Sequence, residues 1–174
     1  MYLSNKTIRE YIDNGKISVK GILNIEEMGI SVHLDEKILI PQNNQTIEID
    51  EPTDLKYTEY NIKEKVYILK PNDFILASSI QSIKTDRDII TFLDGRSSLA
   101  RAGMLIHLTA TVLDGTPFDN QNIVLEIKNL GKFDIILKYK DRVGTILFAK
   151  LLESIEGDKE SVYSNQNGVL PPKF

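Results

Sequence analysis

The feature that most limits what this chain can become is a succession of short β-branched runs cut apart by turn residues. Residues 30–34, 37–40, 46–49 and 66–69 form such runs in the first half, and 74–77, 89–92, 105–108, 122–127, 135–137 and 145–148 in the second. Runs this short and this rich in Ile, Val and Thr read as strands, and Pro41-Gln42-Asn43-Asn44, Glu51-Pro52-Thr53-Asp54 and Lys70-Pro71-Asn72-Asp73 supply turn chemistry between them. Many short strands at that spacing predict a mainly β fold, a sandwich or a distorted jelly-roll-like β-barrel with few helices. One helix is expected at the N-terminus, where Ser4 can cap a segment with Ile8, Tyr11 and Ile12 on one face and Asn14-Gly15 can close it. A second, short helix is expected over 97–102, beginning at the serines. Residues 50–65 read as a polar excursion between strands, and the Gly- and Pro-punctuated tail 156–174 as a mobile C-terminal lid.

A chain of 174 residues can bury a core of its own, so residues 1–174 are read as a single domain. The absence of cysteine removes disulfides, thiol catalysis and thiolate metal sites together, and fits a reducing interior. With a formal charge of -4 and no basic stripe, the chain is not built for broad nucleic-acid binding, so an anionic ligand has to be caught locally. The N-terminal MYLSNKTIREYIDNG has no apolar centre, and no later run approaches the roughly 18 apolar residues of a spanning helix. These features give a reading of a cytoplasmic protein with no membrane partner.

The chemistry concentrates in Gly95-Arg96-Ser97-Ser98-Leu99-Ala100-Arg101-Ala102-Gly103. Sixteen of the 21 basic residues are Lys, so the few Arg, among them Arg96, Arg101 and Arg142, point to positions where a planar fork matters. If Ser97 opens a helical turn, Arg101 lies four residues on along the same face, and hydroxyl, guanidinium and backbone amides converge on an anion. The alternative is an ordinary helix start with capping serines and solvated arginines. In Ile123-Val124-Leu125-Glu126-Ile127, alternation sets Val124 and Glu126 on one face and the three other residues on the opposite one. A carboxylate on a largely apolar strand tends toward a raised pKa, which suits proton transfer near neutrality; otherwise Glu126 is a solvent-facing residue of a half-exposed sheet. Asp114 either starts a turn or accepts a hydrogen bond from a sugar hydroxyl. His107 reads as a satisfied core or interface histidine, His33 has no partner at metal-ligand spacing, and Asp141-Arg142-Val143-Gly144 reads as a structural turn. Tyr163, Gln166 and Gly168 are loop residues unless the tail closes over something.

Across Asp94-Gly95-Arg96-Ser97-Ser98-Leu99-Ala100-Arg101, Ile106-His107-Leu108-Thr109-Ala110, Leu113-Asp114 and Ile123-Val124-Leu125-Glu126, the chain resembles the dCTP deaminase family of the trimeric dUTPase-like superfamily. Leu3 to Ile8, Gly15-Lys16-Ile17, Ser31 to Leu34, Arg142-Val143-Gly144 and Tyr163 to Gly168 extend the resemblance over nearly the whole length. It implies zinc-independent hydrolysis of dCTP to dUTP and ammonia, with Arg96, Ser97, Ser98, Leu99, Ala100 and Arg101 binding the triphosphate and Asp114 the deoxyribose. It further implies that Glu126 shuttles protons, that Arg101, Ser97 and the Ala110 carbonyl place the attacking water, and that Val124, Leu125, Tyr163 and Gln166 contact the nucleotide. Magnesium is expected with the triphosphate, whose hard oxygens suit it, and not zinc, because a zinc deaminase needs cysteine ligands. The expected ligands are dCTP and dUTP, with dTTP as a feedback inhibitor, and the expected assembly is a homotrimer. The chain departs from the family pattern in four places. The 115–122 loop is about two residues longer with Phe118 where Trp is common, His33 replaces Asp, the tail lacks the usual Pro-Tyr pair, and Val162 stands where a lysine precedes the tail tyrosine. Lys159 is the candidate substitute. Two other functions share the scaffold: a dUTP pyrophosphatase or bifunctional enzyme, in which Asp114 would serve a water near the α-phosphate, and a nucleotide-binding relative without catalysis. Glu126 favours deamination over both.

Overall fold

The computed structural model describes all residues except 50, 159–162, 164–166 and 174. Helix α1 (Asn5–Asp13) runs from Ser4 to Asn14, and Ile8 on its inner face is fully buried. The expected Ser4 cap is in place by position, although its side chain makes no capping hydrogen bond, and Gly15 turns the chain out with φ +80°.

The strands are β1 (Ile17–Lys20), β2 (Gly29–Pro41), β3 (Tyr57–Asn61), β4 (Tyr67–Leu69), β5 (Phe74–Thr85), β6 (Ile89–Gly95), β7 (Met104–Leu105), β8 (Gln121–Asn129), β9 (Ile135–Leu137) and β10 (Arg142–Lys150), with α2 (Ser97–Arg101) between β6 and β7. Eight of them form one barrel-like sheet in the order β6-β10-β2-β5-β8-β7, with β1 on β5 and β3 on β2; β4 and β9 make a separate pair. Two long strands make this possible. The first part of β2 pairs with β10 and its last part with β3 and β5, across a register shift between Leu34 and Ile38. Likewise β5 slips against β8 between Ser78 and Ser82 before meeting β1. Such irregularities bend a strand and let the sheet curl on itself. The inner faces carry Ile30, Val32, Leu34, Ile38, Ile75, Ala77, Leu125, Ile127, Ile146 and Phe148, all fully buried. Each of the large ones is worth about 1.5–3 kcal/mol relative to exposure.

The mainly β, jelly-roll-like reading holds, with three local corrections. Residues 46–49 are not a strand: Ile47 and Ile49 alternate with polar residues, yet neither finds a core, and Ile49 is 79% exposed. The polar excursion does contain a strand, β3, whose Tyr-Thr-Glu-Tyr-Asn composition hid it because only one edge is paired and its outward residues are solvated, as in the Lys37–Glu59 ion pair of 3.0 Å. Of 105–108 only Leu105 remains in a strand, because Gly103, at φ +88°, aims β7 across the end of β8 and the chain then turns away. A Cβ on Gly103 would stand 2.4 Å from the Gly131 nitrogen, so the crossing needs glycine.

Candidate active site

Strand β8 delivers the carboxylate. Ile123, Leu125 and Ile127 face the core, so Val124 and Glu126 face out, as the alternation requires. Their face borders a cleft of about 470 Å³, which Ala110, Asp114, Val124, Glu126 and Tyr163 all line. Across the ladder, Leu76 of β5 stands opposite Glu126. With Phe74, Leu76, Val112 and Val124 around it, the carboxyl loses water, and burial pushes its pKa above the ordinary carboxylate value. The Leu108 backbone amide and nearby His107 pull the other way without cancelling that rise. His107 lies two residues past the end of β7, near enough to Glu126 for its charge to act on the carboxyl. His107, read as a satisfied core or interface histidine, has its Nδ1 buried with no hydrogen-bond partner among the described residues.

The segment carrying Ala110 and Asp114 is fixed from β6. Leu93 donates to the Thr111 carbonyl at 2.8 Å, Leu113 donates to the Thr91 carbonyl at 2.9 Å, and Phe92 bridges Val112. Just past Asp114, Thr116 is buried, and its hydroxyl bonds the Leu113 carbonyl (3.0 Å) and Thr91 Oγ1 (2.8 Å). Asp114 therefore sits on a pinned turn at the rim of the cleft.

The described part of the tail lies on the same cleft. Gln121 Nε2 donates to the Tyr163 carbonyl at 3.4 Å, Gly168 donates to Asn122 Oδ1 at 3.3 Å, and Lys173 donates its amide to the Tyr163 hydroxyl at 2.8 Å. Leu170, Pro171 and Pro172 complete that wall, joined by Ile47 from the 46–49 run and Tyr57 from the excursion. Sequence reasoning missed these apolar wall residues, since nothing in a polar excursion or a Pro-Pro tail marks them. Gln166, Lys159 and Val162 lie outside the described residues.

The Arg-Ser-Ser block is elsewhere. Helix α2 forms at 97–101 as expected, with Ser97, Ser98, Ala100 and Arg101 exposed and Leu99 packed on the core, but none of Arg96 to Arg101 lines the cleft. Arg96 Nη1 donates to the Arg142 carbonyl at 3.0 Å, and the Gly95 amide donates to Asp94 Oδ1 at 2.7 Å. Arg142 itself is paired with Glu26, in keeping with a structural role. Leu125 is fully buried, so only its backbone can reach a ligand. Among the described residues, no three His, Asp or Glu side chains gather as a metal site, and no helix is long and apolar enough to cross a membrane.

A family model described as dCTP deaminase-like matches residues 2–151. The chain is 32% identical, over all of its own length and 98% of the relative's, to a dCTP deaminase of Buchnera aphidicola from Acyrthosiphon pisum. It is 33% identical, over all of its length and 96% of the relative's, to a dUMP-forming dCTP deaminase of Hydrogenobaculum. Among solved structures, the 2'-deoxycytidine 5'-triphosphate deaminase of Agrobacterium tumefaciens superimposes with a TM-score of 0.65 at 15% identity, over 84% of this chain and 46% of that longer one, which is a likeness of fold. With the family model spanning most of its length and full-length relatives above 30% identity, the chain belongs to the dCTP deaminase-like family.

Proposed function

We propose that this protein hydrolyses the C4 amino group of dCTP, giving dUTP and ammonia. The observation that carries this reading is Glu126: a half-buried carboxylate with a raised pKa, facing a cleft that Asp114 also lines. In the ionised form Glu126 takes a proton from a water as that water adds to C4, and the proton passes to N3. A second transfer through the same carboxyl protonates the amino nitrogen, the C4–N bond breaks, and ammonia leaves as the carbonyl forms. The Ala110 carbonyl at the cleft wall anchors the water. Asp114 accepts from the deoxyribose, while Val124 and the Leu125 backbone border the base, and Tyr163 and Gln166 belong to the closing tail.

Arg96 to Arg101 lie outside this chain's own cleft, which supports assembly as a homotrimer in which a second copy supplies the triphosphate-binding block, with Ser97 and Arg101 helping to orient the water. Magnesium rides on the triphosphate oxygens, which suit it without a protein cage, and the chain offers no cysteine for zinc. A triphosphate such as dTTP, sharing sugar and phosphates, competes for the site and acts as feedback inhibitor. The reaction takes place in the cytoplasm.

Relatives of both product types favour keeping one second reading, a bifunctional enzyme that also cleaves the triphosphate to dUMP. The test is incubation with magnesium and dCTP, and separately dUTP, following ammonia, dUTP, dUMP and pyrophosphate, with light scattering on the same sample. Ammonia and dUTP from dCTP, by a trimer, are expected. Pyrophosphate from both nucleotides alongside ammonia establishes the bifunctional enzyme. Pyrophosphate from dUTP with no ammonia from dCTP overturns deamination and makes Asp114 the water-activating group.

A further inference from the structure

Arg87 lies in the turn between β5 and β6, outside the cleft, and the proposed chemistry makes no use of it. Its guanidinium is nonetheless engaged on three sides. Nη1 donates to the Gly157 carbonyl at 2.6 Å, Nη2 donates to Asp158 Oδ1 at 2.7 Å, and Cζ stands 5.3 Å from the centre of the Phe118 ring. The backbone on either side holds the same segment: Ile155 donates to the Arg87 carbonyl at 2.9 Å and Leu151 to that of Asp88 at 2.8 Å. Phe118 belongs to the loop that begins with Asp114, and its amide donates to the Gly115 carbonyl at 3.0 Å. One side chain thus bridges the loop carrying the sugar acceptor and the root of the tail. From that root the chain turns at Gly157, with φ +75°, and the tail residues beyond it meet Gln121 and Asn122 of the same chain's cleft.

We infer that Arg87 is a positioning residue that roots the tail so that it closes over the cleft of its own chain, the one containing that chain's Glu126. This rests on the proposed deamination only in what the closed cleft is for. An arginine is required because a planar fork gives two directed donors and a flat face to the ring at once, which an ammonium cannot do. Asp158 is 92% exposed, so its ion pair is weak by itself, and the carbonyl bond and the ring contact hold the clasp. The clasp also accounts for the lengthened 115–122 loop with Phe118: the extra reach presents an aromatic ring to the tail's root.

Two experiments test this. In the first, wild type, Arg87→Ala and Arg87→Lys are treated with a protease without nucleotide and then assayed with dCTP. Arg87→Ala is expected to be cut in the tail about 3 to 10 times faster, because cleavage follows the open population, and to raise KM for dCTP by a similar factor with kcat within about twofold. Arg87→Lys restores only part of both. The melting temperature stays within about 1 °C of wild type, since the clasp is on the surface. Equal cleavage rates in wild type and Arg87→Ala overturn the assignment, and that readout needs no turnover, so it stands apart from the fate of the deaminase reading. In the second, full-length Glu126→Gln subunits are unfolded and reassembled with subunits lacking 157–174, and mixed oligomers are verified by native mass. Neither parent turns over dCTP, and the mixture is expected to remain inactive, because the only intact carboxylates sit on chains without a tail. Recovered activity would mean that tails serve neighbouring chains and would overturn the proposal, as would full activity of the truncated parent.

Discussion

Replacing Glu126 by Gln separates the chemistry of the cleft from its architecture, because the amide keeps the shape and removes only the titratable proton site. In the proposed mechanism two proton transfers pass through this carboxyl, from the water and to the leaving nitrogen, so the loss should lie within the general acid/base range of about 10² to 10⁴ in kcat, or about 2.7–5.5 kcal/mol of transition-state stabilisation. Binding should survive, since Ala110, Asp114 and the tail wall are untouched. Stability moves the opposite way from activity. Burial holds the Glu126 pKa above its ordinary 4.5, so on raising the pH the unfolded chain releases this proton first and the folded state loses stability until its own, higher pKa is passed. The variant escapes that cost. Its melting temperature should therefore equal wild type near pH 4, where both side chains are neutral, and exceed it at pH 8. Ammonia release from dCTP, calorimetric nucleotide binding and melting curves at the two pH values make the assay. Turnover within tenfold of wild type would remove Glu126 from the mechanism, and a melting difference that shrinks as the pH rises would refute the burial argument.

Arg101→Lys should lower kcat/KM for dCTP by at least about tenfold, the worth of one charge-assisted hydrogen bond, because an ammonium lacks the second directed donor; near-wild-type kinetics would reduce Arg101 to a surface charge. His33 should weaken the fold in acid. Gln81 Nε2 donates to both the Ile22 carbonyl and His33 Nδ1, each at 2.8 Å, so Nδ1 has to stay unprotonated, and burial with Arg142 nearby lowers the pKa against a weaker pull from Glu26. The unfolded chain then gains this proton first as the pH falls below 6.5, and the denaturant midpoint should drop between pH 7 and 5.5 in wild type but less in His33→Asn. Gly103→Ala should cost more than about 1 kcal/mol by urea titration, since it combines φ +88° with a Cβ 2.4 Å from the Gly131 nitrogen; an unchanged midpoint would mean that the β7 crossing can relax.

How much of this was legible beforehand follows the range of the forces involved. Strand cores such as 122–127 and 145–148, and the α2 helix, are written in local pattern, and the structure keeps them. The same alternation placed Glu126 on the outer face of β8, and the raised pKa followed once Leu76 came opposite it. Run 46–49 failed because alternation states that a strand can form, not that an edge is available to pair with it. β3 was hidden for the converse reason: an edge of β2 was open, and pairing to it needs backbone groups more than apolar side chains. The apolar wall from Ile47, Tyr57 and Leu170 to Pro172 depends on contacts between segments far apart in sequence, which leave no local trace.

In the proposed reading the site is divided between two copies, and that division has a physical logic. Glu126 requires a dry, apolar surround to act near neutrality, whereas a triphosphate requires exposed guanidinium and hydroxyl groups, and one concave surface of a small β-barrel serves both needs poorly. This chain divides them, with the carboxylate between β5 and the Ala110–Asp114 segment and the exposed Arg-Ser-Ser block on α2 past the end of β6. A second copy that brings its α2 to this cleft would add the phosphate ligands and also exclude further water from Glu126. Assembly and proton chemistry are then linked: the Glu126 carboxyl should ionise at a higher pH in the assembled protein than in the separated chain, as read from its infrared carboxyl absorption above and below the association range, and an unchanged midpoint would refute the link.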